Sequence, residues 1–123
     1  MSGRLAGLVV LVLAAASGCG ELRDLWTLRG ALAERYESSG VHLSVEGGVR
    51  TLTVSIGRPD LISLSPEAQV ALAYEAARFT HATYARASRV DVYELVLEHE
   101  KPTRRLIPIH WTLSYRFDPA ELQ

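Results

Sequence analysis

Two stretches of this chain alternate apolar and polar residues at every second position, a period that only β-strands with one buried face satisfy. In the first, Val41, Leu43 and Val45 alternate with His42, Ser44 and Glu46, and Leu52, Val54 and Ile56 alternate with Thr51, Thr53 and Ser55. Gly47-Gly48 lies between the two runs, and both glycines accept positive φ, so a tight hairpin turn is expected there. In the second stretch, Ile107, Ile109, Trp111, Leu113, Tyr115 and Phe117 alternate with Pro108, His110, Thr112, Ser114 and Arg116. The segment before it, residues 89–100, carries Tyr93, Leu95 and Leu97 on one face, with residues 101–105 as an exposed loop centred near Thr103.

A helical period precedes each pair of strands. Over residues 21–39, Leu22, Leu25, Trp26, Leu32, Ala33 and Tyr36 recur at three- and four-residue steps, which predicts an amphipathic helix with those residues against the core, or alternatively lying on lipid. Ser38-Ser39-Gly40 ends it, with Gly40 suited to a left-handed cap. Ser65-Pro66-Glu67 starts the second helix with a hydroxyl cap, proline at the first helical position and an acid at the positive end of the dipole. It is expected to run to about residue 87, burying Val70, Leu72, Ala73, Ala76, Ala77, Phe79, Thr80 and Tyr84. The order αββαββ predicts a two-layer α+β domain, a four-stranded antiparallel sheet with both helices on its buried face. No residue-level motif recurs between the two αββ halves.

The first twenty residues stand apart from this pattern. A single Arg4 is followed by an apolar run over residues 5–16 and then by small residues. As a helix those 12 residues would reach roughly 18 Å, well short of the ~30 Å hydrocarbon core, so they read as an export signal and not a permanent span. Ala16-Ser17-Gly18-Cys19 resembles the bacterial lipobox, in which small residues precede the cysteine; the common pattern has Leu where this chain has Ala16. The resemblance covers residues 1–20. It implies cleavage before Cys19, leaving 19–123 as one small α+β domain, with Cys19 acylated and the membrane engaged through that lipid. In the family's sorting rule an Asp after the cysteine retains the protein in the inner membrane; Gly20 stands there, which implies the outer membrane.

Composition narrows what the domain does. With 13 basic against 14 acidic residues the chain lacks the basic excess of a nucleic-acid binder. One cysteine permits no internal disulfide and no Cys-rich zinc site. No GxSxG elbow, Walker-type phosphate loop or GxGxxG occurs, and no cofactor is implied. A loop centred near Thr103 would set His110 opposite Val96 with Glu94 and Glu98 as diagonal neighbours, a weak candidate for metal binding or general-base chemistry. With Tyr93, Leu95 and Leu97 inward, Val90, Val92 and Val96 face outwards beside His110, Thr112 and Ser114. A bulge at Tyr93-Glu94 would instead bury Val90 and Val92. The outward stripe makes Val92, Val96, His110 and Thr112 a candidate docking face. The expectation is a non-catalytic envelope lipoprotein that binds another envelope protein. The alternatives are a small hydrolase or metal-binding protein using His110 with Glu94 or Glu98, and a domain holding an acyl chain between helices and sheet.

Overall fold

The computed structural model describes residues 19–47, 50–99 and 112–123. Helix α1 (Cys19–Tyr36) leads into strands β1 (Val41–Glu46) and β2 (Thr51–Arg58); helix α2 (Pro66–Thr83) leads into β3 (Val92–His99) and β4 (Thr112–Phe117). Short 3-10 turns at Leu61–Ser63, Ala87–Arg89 and Pro119–Leu122 complete the chain. The fold is α+β, and the four strands form one sheet in the order β1-β2-β3-β4.

The sheet is mixed, not antiparallel throughout. β1 with β2 and β3 with β4 are antiparallel hairpins, but the central pair β2 and β3 is parallel. The cause lies in the connection: antiparallel neighbours need only a turn, whereas parallel ones need a crossover of a dozen or more residues. The 18-residue α2 is that crossover, returning the chain along roughly 27 Å so that β3 starts at the same end as β2. The first hairpin is also looser than expected. Glu46 pairs with Thr51, so four residues lie between the strands, and Gly47 has no positive φ. Gly48 lies outside the described residues.

The core joins Leu52, Val54 and Ile56 of β2 and Tyr93, Leu95 and Leu97 of β3, all fully buried, to Leu28, Leu32 and Tyr36 of α1 and Ala73, Ala76 and Ala77 of α2. The buried stripe of α1 is therefore rotated from the expected one. Leu28 belongs to the core, whereas Leu22 and Trp26 are 41% and 72% exposed. On α2 the alanines and Thr80 are buried as expected, but Val70 is exposed. Thr80 satisfies its hydroxyl by donating to the Ala76 carbonyl at 2.7 Å. Ser65 caps the helix by accepting from the Ala68 amide at 3.1 Å, and Thr83 ends it a turn earlier than expected.

The C-terminus of α1 is closed by Glu37, not Gly40. Glu37 has φ +49°, and the Ser38 amide donates back to the Ala33 carbonyl at 3.1 Å, a left-handed cap in which glycine is the usual occupant. Gly30, by contrast, sits exposed in mid-helix, where an added Cβ would meet nothing within 4 Å. Glu37→Gly relieves the positive-φ strain, and Gly30→Ala removes a backbone-entropy cost. Each is expected to raise unfolding free energy by about 0.5–1 kcal/mol, read as a shifted urea midpoint at constant slope.

The helices are tied to each other by polar contacts. Arg35 donates through both Nε and a terminal nitrogen to Glu75 Oε1 at 2.9 and 2.7 Å, and the Tyr36 hydroxyl donates to the same oxygen at 2.9 Å. Burial, then the hydrogen bond to Glu75, pushes Tyr36 up to about 12. Burial works to raise Glu75, but the Arg35 and Tyr36 hydrogen bonds outweigh it and hold the carboxyl below its ordinary 4.5. A depressed folded pKa gives stability that is present above the unfolded value and lost as pH falls through the folded one. Glu75→Gln should thus be less stable than the native chain at neutral pH, and the gap should close in an acid titration followed by circular dichroism. Half exposure of both partners makes the gap shrink with salt as well.

A second set of ion pairs fixes the start of α1. Glu21 pairs with Arg50 at 3.2 Å and Asp24 with Arg86 at 2.8 Å. Arg86 also crosses Gly20, where an added Cβ would lie 2.6 Å from its guanidinium. These contacts hold the first turns of α1 against the segments that precede β2 and β3.

Candidate functional site

Strand alternation gives the sheet a second face, and the register assembles it. Cross-strand partners share a face, so Thr53 beside Glu94, Ser55 beside Val96, and Gly57 beside Glu98 all stand opposite the core. β1 adds His42 next to Ser55 and Ser44 next to Thr53. β4 adds Thr112 next to Glu98, Ser114 next to Val96 and Arg116 next to Glu94.

The two carboxylates of β3 organise this surface. Glu94 accepts from the Thr53 hydroxyl on one side and the Ser114 hydroxyl on the other, both at 3.2 Å. Glu98 accepts from Ser55 at 2.8 Å. Gly57, directly beside Glu98, presents bare backbone, so the Glu98 side chain has room to reach back along β2 to Ser55. Ser55 is buried, while Val96 is half-buried between the carboxylates, Val92 is half-buried at the start of β3 and Thr112 is exposed. The result is a flat face of acidic and hydroxyl groups with two valines set into it.

The register of the second hairpin differs from the one expected. Val96 pairs with Ser114 and Glu98 with Thr112, so the residue opposite Val96 is a serine and not His110. The partner of Val96 is shifted by four residues, which centres the hairpin two residues beyond Thr103; His110 itself lies outside the described residues, as do residues 101–105. The remaining histidines serve other places. His42 is exposed on the edge strand, and His99 is buried at the end of β3. His81 Nδ1 lies 2.8 Å from the Tyr93 hydroxyl with the rings edge to face. Burial, with the nearby Tyr84 adding to it, pushes Tyr93 up to about 12, so its phenol remains protonated. Among the described residues no group of three or more His, Cys, Asp or Glu is placed to hold a metal ion.

The valines divide as well. Val92 and Val96 lie on the outer face as expected, and the β2–β3 register runs from Val92 to His99 with no bulge at Tyr93-Glu94. Val90 is nevertheless buried, because the 3-10 turn at Ala87–Arg89 turns it inward before the strand begins. Thr53, Ser55 and Ser114 were not singled out by the sequence as partners of the carboxylates. Their alternating positions along the strands mark the shared face, but the neighbours of Thr53 and Ser55 depend on the parallel β2–β3 pairing and those of Ser114 on the β3–β4 register. Among the described residues no helix is long and apolar enough to cross a membrane. Comparison with known proteins finds no matching family description, no matching curated protein and no matching solved structure.

Proposed function

We propose that this chain is a lipid-anchored lipoprotein of the bacterial envelope, sorted to the outer membrane, whose domain acts by binding and not by catalysis. Residues 1–18 are removed, Cys19 carries the acyl chains, and the sheet face around Glu94, Val96 and Glu98 engages another envelope protein. The observation that carries the anchor is Ala16-Ser17-Gly18-Cys19 directly after a 12-residue apolar run, in a chain whose sole cysteine is that one. Ion-paired Glu21 and Asp24 support it, because a domain clamped from its first helical turn needs no tether to present itself at a membrane. Each buried methylene contributes ~0.8 kcal/mol, so two or more chains hold a protein on a bilayer where one is marginal.

Two features support binding over chemistry. The Glu94 and Glu98 carboxylates are already engaged by Thr53, Ser114 and Ser55, and Ser114 occupies the register position that the hydrolase reading assigned to His110. Fractionation of cells producing the native chain and Cys19→Ser tests the anchor. The native protein should sediment with membranes and carry diacylglycerol mass on Cys19. The serine variant should lose both; a variant that still sediments, with no mass difference between the two proteins, overturns the anchor.

A further inference from the structure

The most exposed large apolar side chains of α1 lie close to its start. Trp26 is 72% and Leu22 41% exposed, on a helix whose opposite side holds Leu28 and Leu32 at 1% and 0%. Arg23, Trp26 and Gly30 stand four, seven and eleven positions beyond Cys19, the spacing of a single stripe along a helix. Leu28 falls nine positions on, half a revolution away. An open groove of about 570 Å³ runs beside this stripe, with Leu22, Leu25 and Leu43 in it and Arg23, Arg29 and His42 around it. The Arg29 guanidinium lies 5.3 Å over the Trp26 ring while its Nε donates to the Val41 carbonyl at 2.9 Å.

We infer that the first three turns of α1 lie on the bilayer surface, with Trp26 and Leu22 in the headgroup region and Arg23 facing anionic phosphates. The inference rests on the anchor proposed above, because a lipid on Cys19 fixes which end of the helix meets the membrane. It goes beyond that reading by assigning an orientation and a second contact. Trp26 lies about 10 Å along the helix from Cys19, so an acylated residue 19 brings the indole to the interface without any linker to span. Indoles are enriched at that depth because the ring is apolar and its N–H still reaches water.

Charge agrees with the geometry. The acids of this region, Glu21 and Asp24, are neutralised by Arg50 and Arg86 on the flank of the helix. Among the described residues Arg23 has no ion pair, so its charge is free for a phosphate. The same side turns acidic further on, at exposed Glu34 and at exposed Glu37 just past the helix end, which confines the contact to the first half of α1 and tilts the helix away from the surface beyond Gly30.

The test uses the full chain purified from membranes and reconstituted in phosphatidylcholine vesicles with and without phosphatidylglycerol. The emission difference between native protein and Trp26→Phe isolates Trp26. Expected are a blue shift and loss of most of that emission when the lipids carry bromine just below the glycerol. Arg23→Glu should diminish both in the anionic vesicles but not in the neutral ones. Mass spectrometry of Cys19 in the same samples separates the two ideas. Acylated protein whose Trp26 emits as in water, unquenched, overturns the surface contact and leaves the anchor standing. Quenched Trp26 on an unacylated chain supports the contact while removing the anchor, and neither signal overturns both.

Discussion

Leu28→Ala is expected to destabilise the domain by about 2–5 kcal/mol, whereas Trp26→Ala, two residues earlier, should change stability by no more than about 0.5 kcal/mol. Leu28 is 1% exposed and packs into the cluster that contains Leu52, Ile56 and Leu95, so truncation removes buried area and leaves a cavity that the sheet cannot collapse to fill. Trp26 is the larger side chain, but it is 72% exposed and the Arg29 guanidinium lies over its ring. Urea denaturation of the two variants in detergent-free, Cys19→Ser background reads the difference directly. Equal losses would mean that α1 is rotated by about a fifth of a turn or more from the orientation described, since neighbours two apart differ by 200°. The experiment also bears on the membrane contact: a Trp26 that contributes nothing to folding is available for something else.

The rotation of α1 shows what periodicity can and cannot decide. Leu22, Leu25, Trp26, Leu28, Leu32, Ala33 and Tyr36 spread over so wide an arc that several stripes fit them. The sequence marks the helix as amphipathic, but the choice of stripe is made by the sheet, which receives Leu28, Leu32 and Tyr36. Size and apolarity favoured Trp26 for the core, and tertiary packing overrode that preference.

The strands tell a related story about neighbours. A period of two assigns faces, and every described residue of β2 and β3 that alternation placed inward is buried. Period says nothing of partners. The second hairpin pairs Val96 with Ser114 where a loop centred on Thr103 would have paired it with His110, a shift of four residues. An even shift preserves which side of the sheet each residue occupies and changes what it touches, so the face was legible while the His–Glu grouping was not. The parallel pairing of β2 with β3 joins residues some forty apart, as in Thr53 beside Glu94: the helix that makes the crossover was legible, but the choice of β2 and β3 as neighbours was not. Glu37 is a different case. Its positive φ contradicts local preference outright, because Gly40 three residues later is the better left-handed residue. Ser38 explains the displacement. Its hydroxyl donates to the Gly57 carbonyl at 2.6 Å and accepts from the Gly40 amide at 3.1 Å, which keeps Gly40 in the strand connection, where its carbonyl takes the Gly57 amide at 3.0 Å.

Adjacent residues of β3 should respond oppositely to the same substitution. Leu95→Glu is expected to abolish folding, because an unpaired carboxylate forced into a site with 0% exposure carries a desolvation cost of several kcal/mol, comparable with the ~5–15 kcal/mol by which a domain of this size is stable. Val96→Glu should leave a folded protein, since Val96 is half-buried on the face that already carries Glu94 and Glu98. Its cost is modest and electrostatic, from a third carboxylate beside two others, and should shrink as salt is raised. Circular dichroism and urea denaturation establish the folding difference. Co-purification from native membranes then asks what the outer face is for. A partner retained by the native chain and lost by folded Val96→Glu places the contact on the sheet; a partner retained by both moves it elsewhere on the domain. If α1 lies on the bilayer, the sheet's outer face, on the side away from the core that Leu28 enters, is turned away from that bilayer. The proposed lipid contact and the proposed protein contact would then use different surfaces, so Arg23→Glu and Val96→Glu should each disable one of them and spare the other.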